Sequence, residues 1–313
     1  MHLGNYLGAL KNWVGLQTDN QCFFCIVDLH AITVPYDPKA LPQRVLEMAA
    51  DFIAAGINPE QSVLFVQSHL PEHVELAWLL NTITPLSELE RMTQFKDKAS
   101  EQRETVNAGL FNYPILMAAD ILLYRPDLIP VGDDQTQHVE LTRTIVRKFN
   151  AAYGEYFKEP KVYEAQVPRV MSLLEPEKKM SKSYGVNHCV FLSDEPEVIT
   201  KKIAKAVTDE GGDADERVSG GKNLLQLFKV LSSDKAVKQQ FDDAYQAREL
   251  KYSEFKPVLA ETIIKVLEPI REKRKELLAK PELIKQALLA GRDRARLVAS
   301  KTLSEVKSRM GLA

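Results

Sequence analysis

The chain is predicted to be an α/β protein: a parallel-sheet domain followed by a smaller all-helical one. Three observations predict this. Short apolar runs alternate with amphipathic helical stretches up to about residue 185. Those runs are almost continuously apolar instead of alternating, as strands covered on both faces are. Beyond about residue 190 strand-like runs vanish and the texture becomes helical.

Taken in order, Leu3, Leu7, Leu10 and Val14 recur at helical spacing and predict an amphipathic helix over residues 4–17. Residues 22–28 read as a buried strand ending in polar residues. Residues 38–55 are helical, with Leu41, Val45, Met48 and Phe52 on one stripe and Gly56 closing it. A second strand follows over 62–67 and a helix over 72–82. Residues 113–124 form an apolar helix, 128–131 a strand, 135–153 a long amphipathic helix, and 169–174 a last strand. Helices then follow with loops at 208–222, an acidic stretch, and at 232–234. Trp13 and Trp78 sit in helical apolar patterns and read as core.

With 313 residues, 45% hydrophobic and 27% charged, the chain can bury a sizeable core. No apolar run approaches the ~20 residues that span a bilayer, and no signal peptide precedes the first helix, so the plain reading is a cytoplasmic protein. Three cysteines give no disulfide framework. Cys22 and Cys25 are three apart on a predicted strand, which sends them to opposite faces, and no second pair completes a zinc site; they read as buried core. The net charge of −2 conceals an asymmetry, since residues 265–313 hold 13 Lys or Arg against 6 Asp or Glu. A basic end on an acidic body suits a polyanion partner; a solvated helical face explains it equally well.

Two motifs carry the chemistry. His2-Leu3-Gly4-Asn5 opens the first helix, where unpaired backbone N–H groups and the helix dipole attract phosphate. Lys179-Met180-Ser181-Lys182-Ser183 places two ammonium groups three residues apart in a loop, with hydroxyl donors beside them and Met180 as an apolar anchor. The two lie about 175 residues apart, so they serve one site only if the chain folds back between them. A third feature is Asp120, a carboxylate inside the apolar run 115–123, which has to be partnered: as a structural ion pair or as a ligand acceptor. His30 follows a strand end, where α/β sites gather. His69, His73 and His188 show no metal spacing and read as surface or core, and His138 as structural.

Together with Cys25-Ile-Val-Asp-Leu-His-Ala-Ile-Thr33, Arg91-Met-Thr-Gln-Phe-Lys-Asp-Lys98, Tyr113-Pro-Ile-Leu-Met-Ala-Ala-Asp120 and Val131-Gly-Asp-Asp-Gln-Thr-Gln-His138, these motifs resemble the HIGH-type and KMSKS signatures of class I aminoacyl-tRNA synthetases. The blocks resemble the tryptophan/tyrosine subgroup, and its bacterial tryptophan branch above all. The resemblance implies a Rossmann-like catalytic domain over residues 1–185, with a C-terminal helix over 287–313 packing back on it, and a helical anticodon-side domain over 186–286. It implies ATP-dependent activation of L-tryptophan and its transfer to tRNA(Trp), by a homodimer using ATP with Mg2+. Lys179, Lys182 and Lys98 would be catalytic. His2, Gly4, Asn5, Met180, Ser181, Ser183, Gly132, Asp134 and Val170 would join the two loop lysines at ATP. Asp120 would take the indole nitrogen, Tyr113 and Gln135 the amino group, Met117 and Val131 the ring, and His30 the substrate or its carboxylate; no residue would be a metal ligand. Two departures stand out. Tyr184 follows KMSKS where the family usually has Asp, and relatives carry a strand and a Gly/Pro-rich turn ahead of HxGN, whereas this sequence opens at Met1-His2.

Overall fold

The computed structural model describes residues 1–93, 107–132, 135–163, 169–208 and 219–312. Along the chain run α1 (Leu3–Asn5), a π-helical turn (Tyr6–Leu10), α2 (Lys11–Leu16), β1 (Phe23–Ile26), α3 (Asp28–Ala31), α4 (Leu41–Ala54) and β2 (Val63–Val66). After the 3₁₀ turn Gln67–His69 come α5 (Glu72–Asn81), α6 (Leu86–Glu90), α7 (Ala108–Leu122), β3 (Leu128–Ile129), α8 (Thr136–Tyr153) and β4 (Lys161–Val162). Two further 3₁₀ turns, Lys182–Tyr184 and Val186–His188, lead to α9 (Pro196–Lys205), α10 (Gly220–Leu231), α11 (Lys235–Gln246), α12 (Tyr252–Ala279) and α13 (Pro281–Arg309). The predicted helix over 4–17 is thus interrupted by a π turn. These elements form two compact units: residues 1–15, 50–56 and 166–279, and residues 16–49, 57–165 and 280–313.

In the second unit β1 pairs parallel with β2, Phe23 opposite Val63 and Ile26 opposite Val66, and β3 pairs parallel with β4. β2 is buried at all four positions. Around it Phe65, Leu76, Leu80, Ile115, Leu122, Ile145, Phe149, Ala299 and Leu303 form one core. Apolar residues at Leu76, Ala77, Leu79 and Leu80 turn one face of α5 inward. That geometry leaves Trp78 on the opposite face, 69% exposed, so it is not the core residue its neighbours suggested. Trp13 is half-buried, edge-on to Phe52 in the first unit. Cys22 and Cys25 are only half-buried, and Cys189 is the fully buried thiol.

The first unit holds α9 to α12. Phe228, Phe241 and Phe255 meet with ring centroids 5.0–5.7 Å apart. Val170, Met180, Leu3 and Leu7 pack into the same core. The predicted strand over 169–174 is therefore absent. Met180 N–H donates to Val170 C=O at 2.9 Å and Ser172 N–H to Lys178 C=O at 2.8 Å, so this run forms one arm of a tight antiparallel turn. Residues 169–185 consequently group with the helices that follow them.

α13 lies against β2 with its backbone. A Cβ at Gly291 would sit 1.8 Å from the carbonyl oxygen of Leu64, so only glycine admits this approach. Three residues on, Arg294 donates to the carbonyls of Pro59 (2.9 Å), Ser62 (3.1 Å) and Gln61 (3.3 Å), closing the loop before β2. Helix propensity alone makes Gly291→Ala stabilising. The contact reverses that sign: Gly291→Ala should lower unfolding stability by about 1–3 kcal/mol in denaturant titration, as overpacking does.

Candidate functional site

In the first unit the two motifs meet. Residues 1–3 lie antiparallel beside 190–192, with Leu3 N–H donating to Val190 C=O at 2.8 Å. His2 is the N-cap of α1. Its Nδ1 accepts from Asn5 N–H at 3.2 Å, while Asn5 Oδ1 accepts from His2 N–H at 3.3 Å, a reciprocal capping box. A Cβ on Gly4 would stand 3.1 Å from the His2 ring and 3.4 Å from Met180 Cβ. The glycine thus leaves room for the His2 ring inside the first turn, which lies against Met180 of the loop about 175 residues away. Met180 is 2% exposed, whereas Lys179 and Lys182 on either side of it are exposed. Ser181 Oγ accepts from Ser183 N–H at 3.3 Å and caps the 3₁₀ turn that carries Lys182. Val170 is buried beneath the loop.

His2 is held neutral. Burial foremost, then the positive charges of the chain's amino terminus, Lys179 and Lys182, lowers its pKa to about 4. Because Nδ1 accepts a backbone N–H, the ring proton sits on Nε2. The arrangement offers a neutral N–H donor and two exposed cations, a chemistry suited to a polyphosphate.

The second unit contains a buried polar cluster. Asp120, near the C-terminal end of α7, has a side chain 12% exposed. Its Oδ1 accepts from Gln67 Nε2 at 2.7 Å and lies 2.7 Å from His73 Nδ1; its Oδ2 lies 2.8 Å from His30 Nε2. Burial by itself raises the carboxyl pKa, yet the hydrogen bonds and charge interactions with His30 and His73 outweigh it and leave the pKa below the ordinary value. The group is ionised at neutral pH. Tyr124 Oη lies 2.8 Å from His73 Nε2. Tyr113 Oη lies 2.9 Å from His138 Nε2, edge-on to His30 at 6.0 Å, and burial pushes its pKa up to about 12.

Of the other residues singled out in the sequence, Met117 on α7 and Val131 beyond β3 are half-buried, Gly132 is exposed, and Gln135 precedes α8. Lys98 and Asp134 lie outside the described residues. The sequence reading missed His73, Gln67 and Tyr124. Gln67 had a signal, a polar side chain directly after a β-branched strand, at the end where α/β sites collect. His73 had none, because its partners come from a different element. Among the described residues no group of three or more His, Cys, Asp or Glu could hold a metal ion.

Comparison with known proteins agrees with this geometry. The model of the tRNA synthetases class I (W and Y) matches residues 1–268. The chain belongs to that family. It is therefore an aminoacyl-tRNA synthetase, with the Rossmann-like class I fold. A tryptophan–tRNA ligase of Helicobacter pylori is 48% identical over 316 residues, covering 100% of this chain and 95% of the relative. The crystal structure of the Mycoplasma pneumoniae tryptophanyl-tRNA synthetase matches with a TM-score of 0.88 at 36% identity, over 100% of this chain and 94% of that one. The Campylobacter jejuni enzyme, crystallised with ADP and tryptophan, matches with a TM-score of 0.85 at 35% identity, over 100% and 96%. The synthetase thus spans nearly the whole length of its relatives.

The His2 environment yields a direct test. NMR titration of His2 should give a midpoint near 4, because burial and the neighbouring positive charges disfavour the imidazolium. Replacing Lys179 and Lys182 together with Ala removes two of the charges that disfavour the imidazolium, so the midpoint should rise towards 6.5. An unchanged midpoint would show that the loop lysines do not reach the first turn.

Proposed function

We propose that this synthetase is a tryptophan–tRNA ligase. It activates L-tryptophan with ATP to tryptophanyl-adenylate and transfers the aminoacyl group to tRNA(Trp). The observation that carries the reading is Asp120, a buried carboxylate kept ionised. An indole N–H is a donor only and needs one such acceptor in an otherwise apolar pocket. Selection through a buried hydrogen bond can reach ~10⁴–10⁵. The names of the Helicobacter and Mycoplasma relatives, and the tryptophan and ADP in the Campylobacter structure, support it.

In the activation step a tryptophan carboxylate oxygen attacks the α-phosphorus of ATP in line. An O–P bond forms, the α–β bridging P–O bond breaks, and pyrophosphate leaves. A tRNA hydroxyl then attacks the aminoacyl carbonyl and expels AMP. The protein forms no covalent bond; its part is positioning and charge stabilisation. Lys179 and Lys182, with Ser181 and Ser183, take the triphosphate, and Lys98 adds a third cation. His2 and Asn5 address the nucleotide from the mouth of α1, with Gly4 leaving its backbone open there; Gly132, Asp134 and Val170 complete the ATP contacts. Mg2+ arrives on the phosphates of ATP, as is usual for this ion. On the amino-acid side Asp120 reads the indole, Met117 and Val131 flank the ring, Tyr113 and Gln135 hold the amino group, and His30 contacts the substrate or its carboxylate. Residues 186–286 form the anticodon-side segment, and the enzyme acts as a cytoplasmic homodimer. No described helix is long and apolar enough to cross a membrane.

ATP–pyrophosphate exchange run separately with tryptophan and tyrosine tests the assignment: exchange should follow tryptophan, and exchange with tyrosine alone would overturn it. Lys182→Ala should lower kcat for activation far more than it changes KM for tryptophan, because the charge on the leaving pyrophosphate develops in the transition state. A collapse of tryptophan affinity with intact turnover would assign the lysine elsewhere.

A further inference from the structure

We infer that His73 and Tyr124 are positioning residues for the indole acceptor, joined to Asp120 by a buried, directional hydrogen-bond chain. The inference rests on the reading of Asp120 as the residue that meets the indole nitrogen.

The direction of the chain follows from its end groups. Burial, reinforced by Cys25, Asp120 and Glu72, drives the Tyr124 pKa far above its ordinary value, so the phenol keeps its proton. Asp120 can only accept, so the ring proton of His73 faces it, and Nε2 takes the Tyr124 Oη–H across 2.8 Å. An Nε2 that accepts leaves the ring proton on Nδ1, which donates to Asp120 Oδ1 across 2.7 Å. The opposite tautomer sets the Nδ1 lone pair against a carboxylate oxygen 2.7 Å away, in a residue with 0% exposure. Gln67 is oriented in the same way. Its Oε1 accepts from Leu29 N–H at 3.1 Å, which turns its amide nitrogen towards Asp120 Oδ1 at 2.7 Å.

The consequence is an asymmetric carboxylate. Oδ1 takes two donors, both from side chains with no solvent exposure. Among the described residues Oδ2 takes His30 alone, and the His30 side chain is 18% exposed. Oδ2 is thus the oxygen with a lone pair to spare, beside the partly exposed His30, and His73 fixes the rotamer that leaves it so. The Tyr124 ring is clamped in turn, stacked on Phe23 at 4.7 Å and tilted against Phe65 at 5.5 Å, so the chain ends on the core of β1 and β2.

A positioning role separates from a merely structural one with an isostere lacking the indole N–H, β-(3-benzothienyl)alanine. Pyrophosphate exchange is measured with both amino acids for the unaltered enzyme and for His73→Phe, His73→Asn, Tyr124→Phe and Asp120→Asn. His73→Phe should raise KM for tryptophan about 10- to 100-fold, the range for a hydrogen bond to a charged group, while KM for ATP and for the isostere barely moves. The preference for tryptophan then shrinks by the same factor. His73→Asn, whose amide nitrogen sits where Nδ1 did, should recover most of the preference, and Tyr124→Phe should lose part of it. Equal losses with both amino acids, or a rise in KM for ATP, would overturn the inference. Should His73→Phe fail to fold, Tyr124→Phe removes one oxygen atom and carries the same test. If Asp120→Asn itself leaves the tryptophan preference intact, it is the reading of Asp120 that fails, not the chain behind it.

Discussion

An ionised carboxylate inside an apolar helix has to be surrounded by donors, and that requirement organises the second unit around Asp120. Leaving such a charge unpaired costs more than a domain's whole margin of stability. Its donors come from three places: the segment after β1, the turn after β2, and α5. Parallel pairing of β1 with β2 brings the first two together, because parallel strands end at the same edge of the sheet. Asp28, just past β1, accepts from Ser68 N–H at 3.0 Å, which locks the two strand ends in register. α5 then packs across α7 and delivers His73 from a helix whose other inward residues are apolar. Position in the sheet and charge state of the carboxylate are one problem with one solution.

The first unit solves a different problem, holding mobile cations next to a helix mouth. Lysines of a loop stay in water, so the loop is held by what lies between them. Met180, buried with Leu3 and Leu7, supplies the anchor, and Gly4 of the first turn lies against it. The result is a fixed backbone with exposed ammonium groups. Keeping His2 neutral beside them avoids a third repulsive charge and preserves an N–H donor.

Some cations of the basic C-terminal segment are engaged within the protein itself. Arg294 closes the loop before β2, Arg296 donates to His69 C=O at 2.8 Å, and Lys307 pairs with Glu75 at 2.7 Å. In the first unit Arg274 pairs with the buried Asp51 at 2.6 Å. A tally of charges along a sequence does not separate cations that greet a partner from cations that satisfy the chain's own carbonyls and carboxylates. The distinction depends on which acceptors come within hydrogen-bond reach.

The sequence by itself determined what its local patterns encode. The α/β class followed from apolar periodicity, the opening of the first helix from His2-Leu3-Gly4-Asn5, and the special status of Asp120 from a charge in an apolar helix. The KMSKS and HxGN residues were legible because short motifs put chemistry at fixed spacing. Tertiary structure alone decided the rest. Apolar content does not distinguish an inward from an outward helix face, so Trp78 looked like core. An apolar run over 169–174 does not reveal that it will fold against 178–180 instead of joining a sheet. His73 looked like any histidine, because a side chain acquires a partner only when a second element packs against its own. Pattern fixes what a residue can do; only packing decides what it meets.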